Sequence, residues 1–496
     1  MVTFSSKFQL INLRNKVLPT LVVLFAIAVF STFAGSVSYS RDDISGKLIL
    51  ASWIAAWSIL FSATWREQMM QSRGDFWRHS AVALVFVSSM TVGLIVWLDL
   101  TLDGSLINTD FTQDYLAGYA LRHDTNIYGP SLKALAMKLF GFEAENYHPP
   151  FNALLFIPLS YLPYRGAFVV WSVLSLVGFG VLVVYSLHVY GMTKYPWLPL
   201  SSLLLLWKPF TSSIWLGQLS VFLALLIVLG FACLKRQREG VAGLLFGLAT
   251  LIKFFPGLLL LYVLVQRRWR CAVTWVICVA VGLLVSLAVA GSVDGLYYIK
   301  QILPEQMRLF ASFPFNISIE GIARTIFGPT EYFAPARELA PGTVRALVWF
   351  INGSLVIAVC RLGLRCRDPE SDSEMFSLFC VTMLLVSPLT WGHTCLMLVL
   401  PLALLLHGAL FQGRLGELRV LIVVLALFAV PDPVVLTSLI EIYQPQDVPW
   451  YILVAAKTGS FALLTLWVIL WLKLHRRNPC RSARNESEGY VSVHHQ

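Results

Sequence analysis

Two carboxylates four residues apart, Asp110 and Asp114, stand in the stretch Asp110-Phe111-Thr112-Gln113-Asp114-Tyr115. A helix over residues 111–122 would put both on one face, with Tyr115 and Tyr119 beside them at the same interval. A carboxylate at the mouth of a cavity can act as a general base; the plainer reading is a solvated acidic edge on an interfacial helix. Lys253 is the next group of interest, because it lies near the centre of an apolar segment spanning 240–266. A charge in a membrane segment costs about 2.5–3.5 kcal/mol on insertion scales, so it either serves a function or snorkels to an interface. In the first case it is a cation able to hold a phosphate. Other polar groups interrupt apolar runs at Gly217-Gln218, after Thr211-Ser212-Ser213, and at Asn316-Ile317-Ser318 with Arg324. A further interruption is Ser387-Pro388-Leu389-Thr390-Trp391-Gly392-His393, where Pro388 should end a helix and leave His393 near a membrane face. Their plainer readings are helix capping, a short match to a glycosylation sequon and a structural histidine. No P-loop, Rossmann fingerprint, zinc spacing or serine triad occurs, and His123, Asp124 and His148 lack metal-ligand spacing.

The elements that must position these groups are apolar helices. Of 496 residues 57% are hydrophobic and only 13% charged, about half the charge of a soluble domain. Residues 17–40, 48–65, 79–98, 166–193, 209–234 and 271–293 contain no Asp, Glu, Lys or Arg. About 20 such residues span a bilayer core, so the sequence reads as an all-α polytopic membrane protein. The net charge of +10 sits in short inter-helix segments such as Arg66–Arg78, Lys235–Arg238, Arg267–Arg270 and Arg361–Arg367. That is the positive-inside pattern, which reports orientation and excludes a nucleic-acid partner as the reason for the charge. Eight cysteines form no CxxC pair and read as buried apolar thiols.

Lys7, Arg14 and Lys16 place the N-terminus inside, and the first apolar run reads as a retained anchor. Crossings at 17–39, 48–65 and 79–101 then deliver residues 102–150 to the outer side. Counting back from a polar tail at 476–496, inside, makes 292–343 a second long outer loop. Between them, the basic turns at 235–239 and 267–270 both prefer the inside. Residues 240–266 are therefore either one helix that breaks the charge rule or a short hairpin with Lys253-Phe254-Phe255-Pro256 at its apex. The hairpin is the expectation, since broken helices are tolerated where they line a polar cavity. Segments 151–164 and 197–210 are similarly short, so the count of membrane segments is about 12–14.

Taken together, several stretches resemble glycosyltransferase family 87. They are Asp110-Phe111-x-x-Asp114-Tyr115-x-Ala117; Tyr128; Tyr147-His148-Pro149-Pro150 with Pro158; and Gly217-Gln218. Further on come Ala242-Gly243, Gly247, Lys253 with Pro256, Arg267-Arg268-Trp269-Arg270, Asn316-x-Ser318 with Arg324, and Ser387-Pro388-x-Thr390-Trp391-x-His393. The resemblance covers roughly residues 105–410, leaving the first two spans as an addition to the family plan.

It implies a GT-C multi-helix bundle over 151–475, with residues 102–150 as its catalytic loop. The implied reaction moves a hexose, most often mannose, from a polyprenyl-phosphate donor to a glycan or glycolipid acceptor at the outer face of the plasma membrane. Asp110 takes the family's base position, and Asp114 stands where an aromatic is usual, so both are candidate catalytic residues. Lys253, Arg324 and His393 are candidates for the donor phosphate, although Thr394 replaces a common second histidine. Tyr115, Tyr147, His148, Gln218, Asn316 and Trp391 are candidates for substrate contact. No cofactor is required, and a divalent metal is compatible but not needed. Read without the resemblance, the same residues leave a transporter or flippase of an amphipathic solute open, as well as an inactive scaffold.

Overall fold

The computed structural model describes residues 110–192, 208–328, 335, 337–429, 450, 453–454 and 457–476. They are helical, with no strand among them. A cap comes first: α1 (Asp110–Arg122), α2 (Gly129–Phe140) and α3 (Pro150–Phe156). The bundle begins with α4 (Tyr164–Val189), α5 (Lys208–Leu216), α6 (Ser220–Lys235) and α7 (Glu239–Ile252). A 3-10 turn at Phe255–Leu259 leads to α8 (Leu260–Val265) and then the long α9 (Trp269–Tyr297). Next come α10 (Leu303–Phe310), α11 (Ile319–Phe327), α12 (Pro341–Arg365) and α13 (Asp372–Val386). A second 3-10 turn, Gly392–Leu398, precedes α14 (Val399–Phe411), α15 (Leu415–Ala429) and α16 (Thr458–Arg476).

Among the described residues, five helices are long and apolar enough to cross a membrane, and three shorter apolar helices lie between them. One face of α9 carries exposed Val273, Val276, Ile277 and Leu284, as a surface that meets lipid must. The expected crossings at 17–39, 48–65 and 79–101, loop residues 102–109 and the tail beyond Arg476 lie outside the described residues. Seven cysteines are free thiols, four of them buried; Cys480 lies outside the described residues.

The segment 239–266 is a hairpin. The fourteen residues of α7 rise about 21 Å at 1.5 Å each, short of a ~30 Å bilayer core. Lys253 then takes an extended conformation (φ −142°, ψ 137°) that ends the helix, and Pro256 opens the return turn. The backbone returns to where it started: Arg268 Nη1 donates to Leu234 O at 3.3 Å, so the two basic turns meet. Close backbone approach holds the ascending arm in place. A Cβ on Gly243 would sit 2.4 Å from Cys271 O, and one on Gly247 2.7 Å from Cys278 Cβ. This is the small-residue spacing by which membrane helices pack without a hydrophobic driving force.

Where the hairpin begins and ends, a buried acidic turn collects basic side chains. Asp372 accepts Tyr262 Oη at 2.5 Å and Arg268 Nη2 at 3.0 Å, and Lys235 Nζ reaches Ser373 Oγ at 3.3 Å. Lys473 on α16 spans Glu374 at 3.4 Å and Glu417 at 2.9 Å, and Arg414 holds Glu417 at 3.0 Å. Ser371–Glu374 is buried, closed over by side chains from α6, α8, the turn before α9, and α16.

The opposite end is closed by the cap. Leu116, Ala120, Ile127, Tyr128, Leu132 and Ala153 pack on Tyr298 and Ile302 beyond α9. Asp294 Oδ2 accepts the Ile127 amide at 3.0 Å. The first polar loop is thereby tied to the start of the second.

Candidate active site

Lys253, at the hairpin apex, donates to Gln218 Oε1 at 3.1 Å. The same amide donates through Nε2 to Asp110 Oδ2, while Gln113 Nε2 reaches Asp110 Oδ1 at 3.3 Å. One glutamine thus joins the half-buried ammonium to the acid at the first turn of α1. It accepts from the cation and donates to the anion, so its orientation is fixed by the charges on either side. Asp110 and Lys253 are half-buried, and among the described residues neither makes a direct ion pair. The carboxylate keeps acceptor capacity for a proton, and the ammonium keeps N–H donors for a ligand.

Gln218 is aimed by the residue before it. Gly217 has φ +66°, and its carbonyl accepts Trp171 Nε1 at 2.8 Å. A Cβ there would lie 2.5 Å from Phe111 Cβ, the neighbour of Asp110. Gly217→Ala is therefore expected to cost about 1–2 kcal/mol for the left-handed backbone alone, plus the displacement of Phe111. Thermal unfolding of the detergent-purified protein checks it; an unchanged midpoint would overturn the account.

Asp114 has a different fate from Asp110, although both lie on α1. It is 1% exposed, and its Oδ1 holds His148 Nδ1 at 2.8 Å. His148 is also fixed through its backbone: its N–H donates to Asn146 Oδ1 at 2.9 Å, and its carbonyl accepts Tyr128 Oη at 2.6 Å. Burial first, then the neighbouring Tyr298, Asp294, Asp114 and Glu145, pushes the Tyr128 phenol far above its usual range, so it remains a donor. Sequence spacing makes the two carboxylates equivalent; the loop ending in Pro149-Pro150 covers one and leaves the other to Gln218.

His393 completes the cluster. It is buried, its Nε2 has no partner among the described residues, and it lies in the field of both Lys253 and His148. Helix α13 ends at Val386, as Pro388 requires, and α5 and α6 pack against the turn that carries His393. That turn is stapled to the second loop by Asn316, whose Nδ2 donates to Ala311 O and Pro388 O at 3.0 and 2.8 Å. Asn316 Oδ1 accepts from Ser318 N and Thr390 N at 3.1 and 3.2 Å. The side chain is sealed at 0% exposure, which leaves a glycan no room and makes the sequon match incidental. Thr394, in place of a second histidine, bonds the Trp391 backbone.

Tyr147 and Trp391 flank the cluster from two loops and meet through Phe310, at centroid distances of 5.3 and 5.9 Å. Tyr115 is buried and donates to Leu162 O at 2.9 Å. Arg324 is held by Glu320 at 2.6 Å along α11 and, among the described residues, has no bond to Lys253, His393 or Asp110. The geometry therefore unites Asp110, Asp114, His148, Gln218, Lys253 and His393, and leaves Arg324 apart. Sequence reading missed Asn152, fully buried with both amide atoms unpartnered, and Lys457, which donates to Pro314 O and Asn316 O at 2.7 and 2.8 Å. Each is visible as a polar residue breaking into, or standing just before, an apolar run. Among the described residues no three His, Cys, Asp or Glu side chains gather as metal ligands.

Residues 146–388 match the family model of glycosyltransferase family 87. The chain is thus similar to glycosyltransferase family 87 over 243 of its 496 residues. The matched stretch contains His148, Gln218, Lys253, Asn316 and Arg324, and stops short of Asp110 on one side and His393 on the other. Among similar proteins is a polyprenol-phosphate-mannose-dependent alpha-(1-2)-phosphatidylinositol mannoside mannosyltransferase of Mycobacterium tuberculosis. It is 28% identical over 58% of its own length and 50% of this chain. Two polyprenol-phosphate-mannose-dependent alpha-(1-2)-phosphatidylinositol pentamannoside mannosyltransferases are similar over longer stretches. That of Mycolicibacterium smegmatis is 27% identical over 77% of its own length and 66% of this chain. That of Mycobacterium tuberculosis is 26% identical, over 88% and 80% respectively. No solved structure matches. With that family match and these relatives, the glycosyltransferase reading stands over the transporter and scaffold readings that the residues alone left open.

Proposed function

We propose that this glycosyltransferase moves mannose from a polyprenyl-phosphate donor to a glycolipid acceptor at the outer face of the plasma membrane. The observation that carries this reading is the Lys253–Gln218–Asp110 relay, which holds a phosphate-binding cation and a base at a fixed distance through one amide. The acceptor oxygen attacks the anomeric carbon while the bond from that carbon to the phosphate oxygen breaks. Asp110 takes the hydroxyl proton, and Lys253 with His393 meets the departing phosphate. Attack opposite the leaving group inverts the anomeric centre. Asp114 is not the base in this scheme, because its carboxylate is buried beneath His148 while Asp110 is half-exposed.

The similar proteins supply the donor and acceptor classes, since their names specify polyprenol-phosphate-mannose and phosphatidylinositol mannosides. The orientation follows from the basic turns at the far end of the hairpin, which the positive-inside bias assigns to the cytoplasm. The donor reaches the site within the bilayer, so no nucleotide pocket is needed. Arg324 and Asn316 support the second loop in this scheme, and Tyr147 and Trp391 border the sugar.

The test is transfer of radiolabelled mannose from polyprenyl-phosphate-mannose to a phosphatidylinositol mannoside by purified protein in nanodiscs, with and without a chelator. Product with an inverted anomeric centre supports the scheme, and loss of product with the chelator adds a metal to it. Bound donor with no transfer to any glycolipid would overturn the acceptor class.

A further inference from the structure

We propose that His148, held by the buried Asp114 carboxylate, is a further hydrogen-bond donor to the departing phosphate, acting beside Lys253 and His393. The inference rests on the donor reading above and adds a group to its machinery. Three of the four hydrogen-bonding groups of His148 have dedicated partners: ring Nδ1 on Asp114, the backbone amide on Asn146 and the backbone carbonyl on Tyr128. All three partners are at most 2% exposed. Only Nε2 remains, and it is neither bonded within the described residues nor sealed from solvent. A ring held this firmly with one nitrogen left over is organised for something outside the fold.

What it faces follows from its neighbours. Lys253 reaches Asp110 through Gln218, and His148 holds Asp114 one turn along α1 from Asp110, so the groups form one polar cluster. Two carboxylates and a phosphate face one ammonium there in a medium of low dielectric, so a further N–H donor on the phosphate is stabilising. With Nδ1 held by Asp114, Nε2 is the ring nitrogen left to meet it. As the anomeric carbon–oxygen bond breaks, its electron pair passes to the phosphate oxygen, and Nε2–H and Nζ–H meet the new charge there. The acceptor's proton goes to Asp110. Asp114 is then a positioning residue, which explains why it is buried while Asp110 is not.

The test measures binding of a fluorescent short polyprenyl monophosphate, and of the corresponding uncharged polyprenol, to nanodisc-embedded protein. His148→Ala should weaken phosphate binding about ten- to hundredfold, the range for a hydrogen bond to a charged group, and leave polyprenol binding unchanged. His148→Lys, which restores an N–H donor, should recover part of the loss, and Asp114→Asn should fall between wild type and His148→Ala. Thermal unfolding identifies any variant that has lost its fold. Equal phosphate binding by wild type and folded His148→Ala overturns the proposal, as does an equal loss of polyprenol. Wild type that ignores the phosphate would instead overturn the donor reading.

Discussion

Asp110→Asn is expected to bind the donor nearly as well as wild type and to transfer sugar about 10²–10⁴-fold more slowly, the usual contribution of a general base. The substitution keeps the shape of the side chain, and the single asparagine oxygen can still accept from Gln218, while the amide nitrogen takes the place of the oxygen that accepted from Gln113. The relay to Lys253 stays assembled, and the ability to accept a proton is lost. Single-turnover transfer measured beside donor binding separates the two effects. Transfer within about tenfold of wild type, with Asp114→Asn the inactive variant, would move the base to Asp114 and contradict the burial of that carboxylate.

Lys253→Met should give the opposite division of effects. Methionine fills the same volume at the hairpin apex, but the cation is gone. Donor affinity should fall together with turnover, by about 10²–10³-fold for an electrostatic group at a developing charge. Gln218 would lose the charge that orients its carbonyl, so Asp110 would be misplaced as well. The double variant Asp110→Asn with Lys253→Met should then lose much less than the product of the two single losses, since residues acting as a unit are not additive. Losses that multiply would mean that Gln218 does not couple them.

How much of this was legible in the sequence differs from group to group. The hairpin was readable, because two basic turns stood too close together for a crossing between them and Lys253-Phe254-Phe255-Pro256 marked the place to turn. The break before His393 was readable from Pro388. The division of labour between Asp110 and Asp114 was not. On a helix of period 3.6 the two are neighbours, and what separates them is a loop thirty-odd residues later that lays His148 over one of them. Arg324 was a phosphate candidate through the family resemblance, but Glu320 one turn earlier holds it. The acidic turn at 371–374 was hidden for a related reason. Its partners come from α6, α8, the turn before α9, and α16, and composition reports the charge of a loop without reporting what seals it.

That acidic turn also bears on the order in which the protein is made. Tyr262, Arg268 and Lys235 precede Asp372 in the sequence, so its partners already exist when it leaves the ribosome. Glu374 and Glu417 share Lys473, which emerges about a hundred residues after Glu374. At about 5–20 residues per second, roughly 5–20 s pass before that lysine is available. Helix α16 therefore acts as a closing clasp on the two glutamates. In a pulse-chase, products stopped before residue 473 should disappear faster than products stopped just beyond Arg476; equal lifetimes would mean that the bundle closes without its final lysine.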